Sequence, residues 1–251
     1  MAQWINYDGF RAIFESRSDY RCGLQLWMSH PSWPSLVWQT YDYFFEPTAG
    51  YFGCKKGCEP LHIFYHPIHN KIEVVNFCAG DYKGLTAEAQ ILDINGKVVW
   101  NASCKLDIKE DSTKQCFEPK VDANITDVYF IRLYLRDSEG NLLSENFYWQ
   151  GKEEGNLKAL RNLAQADVDV KVLGKNGNYT ATITNKGDVP ALMLRVKALD
   201  SKSGDLILPV WYSENYIFLM GGESRTVSIK VRDEDCQGKP VIKVEGFNYK
   251  R

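Results

Sequence analysis

Apolar residues recur at helical spacing only near the N-terminus. Trp4, Tyr7, Phe10, Ile13 and Phe14 fall three or four apart and predict a helix over 3–17, with Arg11, Glu15 and Arg17 largely off the stripe. The apolar run at 23–29, Gly-Leu-Gln-Leu-Trp-Met-Ser, has the length of one strand. Two prolines in His30-Pro-Ser-Trp-Pro34 enforce a loop, because proline can neither donate to a ladder nor continue a helix interior. Residues 36–45 fit either helix or irregular chain, and 50–59 read as a helix halted by Pro60. Helix, strand, loop, helix is one β/α unit.

From residue 61 the apolar period changes to two. Strands are expected at 61–65, 71–77, 85–94, 98–101, 128–136 and 142–149. A polar, weakly helical linker follows at 151–166. A second set is expected at 167–173, 179–184, 191–199, 216–220, 225–231 and 241–247. Residues 128–135 are β-branched and aromatic, as a half-buried strand requires. Asn95-Gly96 is the strongest hairpin signal, and Glu139-Gly140-Asn141, Asn176-Gly177, Lys186-Gly187, Ser203-Gly204, Gly221-Gly222 and Gln237-Gly238 break the other runs. Alternation in 180–184 and 226–231 gives each of those strands one dry and one wet face. Regular short strands between turns predict two immunoglobulin-like sandwiches.

Composition excludes several classes of function. Among 251 residues, 13% are aromatic and the net charge is −2, which rules out a disordered chain. So small a charge captures neither nucleic acid nor an anionic membrane, so neither is expected as a partner. No run of about 18 apolar residues is present to cross a bilayer as a helix. Met1-Ala-Gln-Trp4 lacks the basic-then-apolar pattern of a secretion signal, which fits a cytoplasmic chain, a mature chain or one that starts inside a longer gene.

The seven cysteines are odd in number, so at least one thiol is unpaired or pairs between chains. Cys54 and Cys58 lack the second close pair or histidine of a zinc site. His62, His66 and His69 lie in a strand-and-turn region that does not converge them, so no metal is expected. Asn101, Asn124 and Asn178 each open a glycosylation triplet. There is no phosphate-cradling glycine loop, nucleotide fingerprint or nucleophile elbow, and no cofactor is expected.

Candidate chemistry concentrates early. Four of the seven tryptophans, Trp4, Trp27, Trp33 and Trp38, precede residue 40, and Tyr41, Tyr43, Phe44, Phe45, Tyr51 and Phe52 follow. A flat indole can cover the C–H face of a sugar ring and leave its hydroxyls free, so Trp27, Trp33 and Trp38 are the best candidates for sugar contact; burial in a core is the alternative. Ser29 and His30 could bond sugar hydroxyls or simply face water. Asp42 suits an amine or hydroxyl, against a helix cap or salt bridge. Lys55-Lys56 reads as a solvated helix face. Trp211, Tyr212 and Tyr216 could form a carbohydrate platform, although a buried inter-domain anchor is the plainer account. Trp100 and Trp149 read as sandwich core.

The block from Trp33 to Tyr43 (Trp-Pro-Ser-Leu-Val-Trp-Gln-Thr-Tyr-Asp-Tyr) is long and unusual. So is the block from Tyr51 to Ile63 (Tyr-Phe-Gly-Cys-Lys-Lys-Gly-Cys-Glu-Pro-Leu-His-Ile). Both closely resemble the end of the catalytic barrel in exo-β-D-glucosaminidases and related β-mannosidases of glycoside hydrolase family 2. Leu208-Pro-Val-Trp-Tyr-Ser-Glu-Asn-Tyr216, with Gly222-Glu-Ser224, resembles the last immunoglobulin-like domain of the same enzymes. The resemblance covers essentially the whole chain.

It implies retaining hydrolysis of terminal β-linked glucosamine or mannose, by two carboxylates about 5–5.5 Å apart. In the family these close barrel strands four and seven. Residues 1–18 match the helix after strand seven and 23–29 match strand eight, which places both carboxylates before Met1. Trp27 and Trp33 would then line the non-reducing-end pocket.

The expected fold is mainly β: the terminal β/α piece of a TIM barrel at 1–60, then sandwiches at 61–150 and 167–251. A closed barrel needs eight strands, and one is foreseen here. The expected activity is that of the C-terminal portion of a glycosidase, inactive alone. Its expected partners are a carbohydrate and an upstream barrel segment, in cis or as a separate chain, which would cover the aromatic-dense first 60 residues. The parent enzyme would be periplasmic or extracellular. The competing expectation is a carbohydrate-binding or interaction module of sandwich type.

Overall fold

The computed structural model describes residues 1–16, 23–35 and 38–250. Arg17, at the end of the expected first helix, and Leu36, at the start of the ambiguous stretch, lie outside the described residues. One compact unit comprises the described residues of 12–21 and 55–163, the other those of 1–11, 22–54 and 164–251.

Helix α1 (Ala2–Glu15) forms where the helical period predicts it, and α2 (Ala49–Gly57) stops before Pro60. The Ala49 amide donates to Gln3 Oε1 (2.9 Å) and the Gly50 amide to Thr48 Oγ1 (3.2 Å), which satisfies two orphan donors of the first turn of α2. Lys55 and Lys56 sit in its last turn, where cations oppose the helix dipole favourably.

The buried face of α1 differs from the apolar stripe. Trp4, Tyr7 and Phe10 are buried as expected, but Ile13 is exposed, while Arg11 (1% exposed) and Glu15 (5%) are inside. Arg11 is sheltered because its guanidinium lies over the Trp4 and Tyr7 rings, 5.8 and 5.4 Å from their centroids, and bonds Asp8 at 2.5 Å.

Residues 23–29 also depart from expectation, forming no strand. The sequence has strand composition, but a parallel barrel strand needs neighbours to bond, and none of the described strands pairs with it. Residues 38–45 are irregular.

In the unit holding 55–163, strands β1 (Leu61–His66), β2 (Lys71–Asn76) and β5 (Ser112–Phe117) make a sheet ordered β1-β2-β5. Strands β3 (Tyr82–Asp93), β4 (Val98–Ile108), β6 (Val128–Arg136) and β7 (Leu142–Gly151) make a second, ordered β4-β3-β6-β7. All pairings are antiparallel. Ile63, Ile72 and Val74 from the first sheet share one core with Leu85, Ala87, Ala89, Ile91, Ile131, Leu133 and Leu135 from the second. This is a three-plus-four sandwich: a sandwich is what the alternating pattern implies, and β5 is a seventh strand that it does not foresee. Trp149 is buried, and Trp100 is half-buried against the core. The linker stretch is more structured than its polarity suggests. Gly151 completes β7, and a 3-10 turn, Lys158–Asn162, packs against β6 with Leu160 buried.

The other unit carries a second three-plus-four sandwich. Strands β8 (Val168–Lys175), β9 (Asn178–Asn185), β11 (Val210–Tyr212) and β13 (Ser224–Val231) are ordered β11-β13-β9-β8. Strands β10 (Ala191–Asp200), β12 (Ile217–Leu219) and β14 (Pro240–Glu245) are ordered β12-β10-β14. Its core joins Ala181, Ile183, Val227 and Ile229 to Leu194, Val196, Ala198 and Val244. Buried Asn248 donates to the Ala164 and Pro190 carbonyls (2.9 Å each) and accepts from the Leu192 amide, so it closes the end of the sandwich.

The N-terminal helices pack on this second sandwich. Trp4 meets Phe218 edge-on at 5.8 Å, and Phe52 lies 5.7 Å from Tyr216. Gly53 permits the approach of α2 to α1, since a Cβ there would fall 2.2 Å from the Tyr7 carbonyl oxygen. The expected result for Gly53→Ala is a loss of several kcal/mol, about 3 or more, because backbone rather than a flexible side chain must yield. Urea unfolding checks it, and an unshifted midpoint would contradict the close approach.

Candidate functional site

Residues 38–48 fold into a small hairpin. The Thr48 amide donates to the Thr40 carbonyl (2.9 Å), Tyr41 and Pro47 form a bridge, and the Asp42 amide donates to the Glu46 carbonyl (3.0 Å). Thr48 Oγ1 adds a bond to the Gln39 carbonyl at 2.7 Å. The tip is held by Asp42, whose Oδ1 accepts the Phe44 and Glu46 amides at 2.9 Å each. Asp42 therefore caps its own turn, the local bonding that aspartate offers where the backbone would otherwise be unsatisfied.

The loop at 23–35 is pinned to this hairpin through Ser29. Its carbonyl accepts the Tyr41 amide (3.0 Å) and Thr40 Oγ1 (3.1 Å). His30 Nε2 lies 3.1 Å from the Tyr43 carbonyl, and the ring stacks on Phe45 at 4.1 Å. Met28 (φ 60°) and Phe45 (φ 65°) adopt left-handed backbone, which costs bulky residues about 1 kcal/mol or more each.

The outcome is a surface dense in exposed aromatics. Trp27 is 78% exposed, Trp33 68% and Trp38 60%, with Phe44 and Phe45 also exposed. Trp38 leans on Phe10 of α1 at 6.2 Å. The hairpin thus joins Ser29, His30 and Asp42 by named bonds, while Trp27 and Trp33 project most freely. Glu46, at the hairpin base, pairs with Arg195, which also bonds Glu245 at 2.8 Å. Removing the turn cap by Asp42→Ala is expected to cost about 1–2 kcal/mol locally and to speed amide exchange at Phe44 and Glu46, with Asp42→Asn milder. Unchanged exchange at both amides would contradict the capping role.

The other unit holds a polar cluster that sequence reasoning missed. His62 is 0% exposed, with Nε2 2.8 Å from Glu15 Oε1 and Nδ1 2.9 Å from Glu59 Oε2. Ser144 Oγ donates to Glu59 at 2.7 Å, and Asn146 Nδ2 (2.7 Å) and Tyr148 Oη (2.9 Å) donate to Glu15. Burial alone would push His62 down, but the bonds from Glu15 and Glu59 outweigh it and raise the imidazole above its ordinary value. For Glu59, burial opposes ionisation, and the bonds and charges of His62 and Lys56 overcome it and lower the carboxyl. These carboxylates face a shared imidazole inside the protein.

A signal for this cluster existed in the sequence. Trp4, Tyr7, Arg11 and Glu15 keep helical spacing, and Ser144, Asn146 and Tyr148 alternate on one face of β7. The described residues include no group of three or more His, Cys, Asp or Glu side chains placed to hold a metal ion. No described helix is long and apolar enough to cross a membrane.

Two successive antiparallel sandwiches define a protein of immunoglobulin-like β class. Residues 146–249 match the immunoglobulin-fold domain of exo-β-D-glucosaminidase, and residues 71–152 match the mannosidase Ig/CBM-like domain. These two regions are Ig-like domains of the exo-β-D-glucosaminidase/mannosidase family, glycoside hydrolase family 2.

Among its relatives, the exo-β-D-glucosaminidase of Amycolatopsis orientalis is 30% identical over 98% of this chain and 27% of its own length. The exo-β-D-glucosaminidase of Hypocrea jecorina is 31% identical over 99% of this chain and 31% of its own. The chain therefore spans less than a third of either protein. The solved exo-chitosanase of Amycolatopsis orientalis superposes with a TM-score of 0.87 at 28% identity, covering 98% of this chain and 33% of that one. The β-D-mannosidase of Dictyoglomus thermophilum, at 19% identity and a TM-score of 0.64, shares the fold.

Proposed function

We propose that this chain is the C-terminal portion of a retaining, exo-acting glycoside hydrolase for β-linked glucosamine or mannose. Residues 1–60 represent the last helix–strand–helix part of its catalytic barrel, and 61–150 and 167–251 its accessory sandwiches. Trp27, Ser29, His30, Trp33, Trp38 and Asp42 belong to the wall of the sugar pocket, Asp42 by holding the turn that carries the aromatics. The carboxylate pair required for retention belongs to a barrel segment outside these residues, joined in cis or supplied as a separate chain.

The observation that carries this reading is the exposed aromatic surface of 27–45 in a chain whose relatives, over three times longer, include exo-β-D-glucosaminidases. Large apolar surface of this kind marks a face that another element or a ligand covers. The partnering barrel segment supplies that cover, and the indoles remain at its mouth to meet sugar.

The chain alone is expected not to turn over 4-nitrophenyl β-D-glucosaminide or β-D-mannoside. Hydrolysis is expected once the barrel segment is joined to it or added in trans. Robust turnover by residues 1–251 alone, surviving purification to homogeneity, would overturn the assignment.

A further inference from the structure

Trp211, Tyr212 and Tyr216 are close in sequence but do not act together. Tyr212 and Tyr216 turn inward against Phe52, and burial pushes both hydroxyls up to about 12. Trp211 turns outward and is 52% exposed. It forms one wall of a groove of about 610 Å3 on the outer face of the β11-β13-β9-β8 sheet, with Leu173, 73% exposed, on the far side. Thr180 and Ser228 are paired in register on the floor and Ser213 lies beside them. Leu173 faces Thr180 across β8 and β9, and Trp211 faces Lys230 across β11 and β13. Trp211, in register with Asn178, and Leu173, in register with Thr180, thus stand three ladder spacings and two residues of strand apart, roughly 16 Å.

We propose that this groove binds an uncharged glycan chain. An exposed indole offers a flat face for the C–H side of a pyranose, and the floor hydroxyls both donate and accept, as sugar hydroxyls do. The groove residues include one cation, Lys230, and no acid, so a polymer of cationic glucosamine is disfavoured. The width accommodates a short run of linked pyranoses.

The opening at the Leu173 end depends on Gly174, at φ 139°. A Cβ there would fall 2.2 Å from the Asn178 carbonyl oxygen, so a side chain would break the hairpin edge of the groove. The proposal does not rest on the catalytic reading above: it requires only the second sandwich and concerns binding without turnover.

The test is affinity electrophoresis and calorimetric titration of the full chain with β-mannohexaose, N-acetylchitohexaose and fully deacetylated chitohexaose. Binding of one or both uncharged oligomers is expected. Trp211→Ala should weaken it roughly tenfold or more, and the groove-filling Ser228→Arg should abolish it. Both positions are exposed, so thermal midpoints should stay within a few degrees, which separates loss of binding from loss of fold. Val99→Ala, on the exposed part of β4 in the other sandwich, should bind as the parent does. No binding to either uncharged oligomer, binding to deacetylated chitohexaose alone, or undiminished binding by Trp211→Ala would each overturn the proposal.

Discussion

His62→Ala is expected to destabilise the unit built on β1–β7 by about 3–5 kcal/mol, among the largest single-residue effects in the chain. His62 is fully buried and bonds Glu15 with one ring nitrogen and Glu59 with the other. Removing the imidazole deletes its bonds to two carboxylates, one of them Glu15, only 5% exposed, and leaves a void near the start of β1. Glu15→Gln should be milder, about 1–3 kcal/mol, since an amide can still accept from Tyr148. Urea unfolding followed by circular dichroism checks both. A loss under about 1 kcal/mol for His62→Ala would show that the cluster is not ionic.

The same cluster sets a pH dependence with two edges. His62 is raised above 6.5 in the folded state, so its contribution is complete below pH 6.5 and fades as the pH climbs through the raised value. Glu59 is lowered below 4.5, so its contribution is complete above pH 4.5 and fades as the pH falls through the depressed value. The stability difference between the parent and His62→Ala is therefore expected to be greatest and flat from about pH 4.5 to 6.5. It should shrink on both sides, and a difference that grows on the alkaline side would contradict the charge assignment.

Where a strand carries both a pattern and a partner, the sequence reads true. The run at 128–136 forms β6 with the same bounds, because β-branched and aromatic residues there pair on both edges, with β3 and β7. Ser112–Phe117 escaped notice because β5 is a polar edge strand, and edges tolerate the charges that hide the period. Residues 23–29 fail the opposite way: strand composition is present, and among the described residues no strand bonds them.

In α1, apolarity alone selected Ile13 and rejected Arg11 and Glu15. Their burial depends on rings and on His62, which lies 47 residues from Glu15, and no local rule encodes such a partner. At the aromatic surface, density was legible from composition, and the distribution of roles was not. Asp42 reads equally as ligand or cap until the Phe44 and Glu46 amides are seen to converge on it. Trp211 and Tyr212 are neighbours whose opposite directions follow from the strand period once β11 is known to exist.

In the complete glycosidase envisaged above, Trp27→Ala combined with Trp33→Ala is expected to lower kcat/KM on β-glucosaminides by roughly 100-fold, mostly through KM. An indole against a sugar face holds substrate and transition state about equally, because charge develops at the reacting carbon and not on the C–H face it covers. Loss of such uniform binding raises KM and spares kcat. Stability should hardly change, within about 0.5 kcal/mol, because Trp27 and Trp33 are 78% and 68% exposed in this chain. Trp38→Ala provides the contrast: its ring rests on Phe10, so its removal should cost stability before it costs affinity. Steady-state kinetics with thermal melts separate the two patterns. If the double variant keeps its KM while Trp38→Ala alone loses it, the pocket wall lies on the α1 side of the aromatic surface and the roles of Trp27 and Trp33 as its sugar-facing members fail.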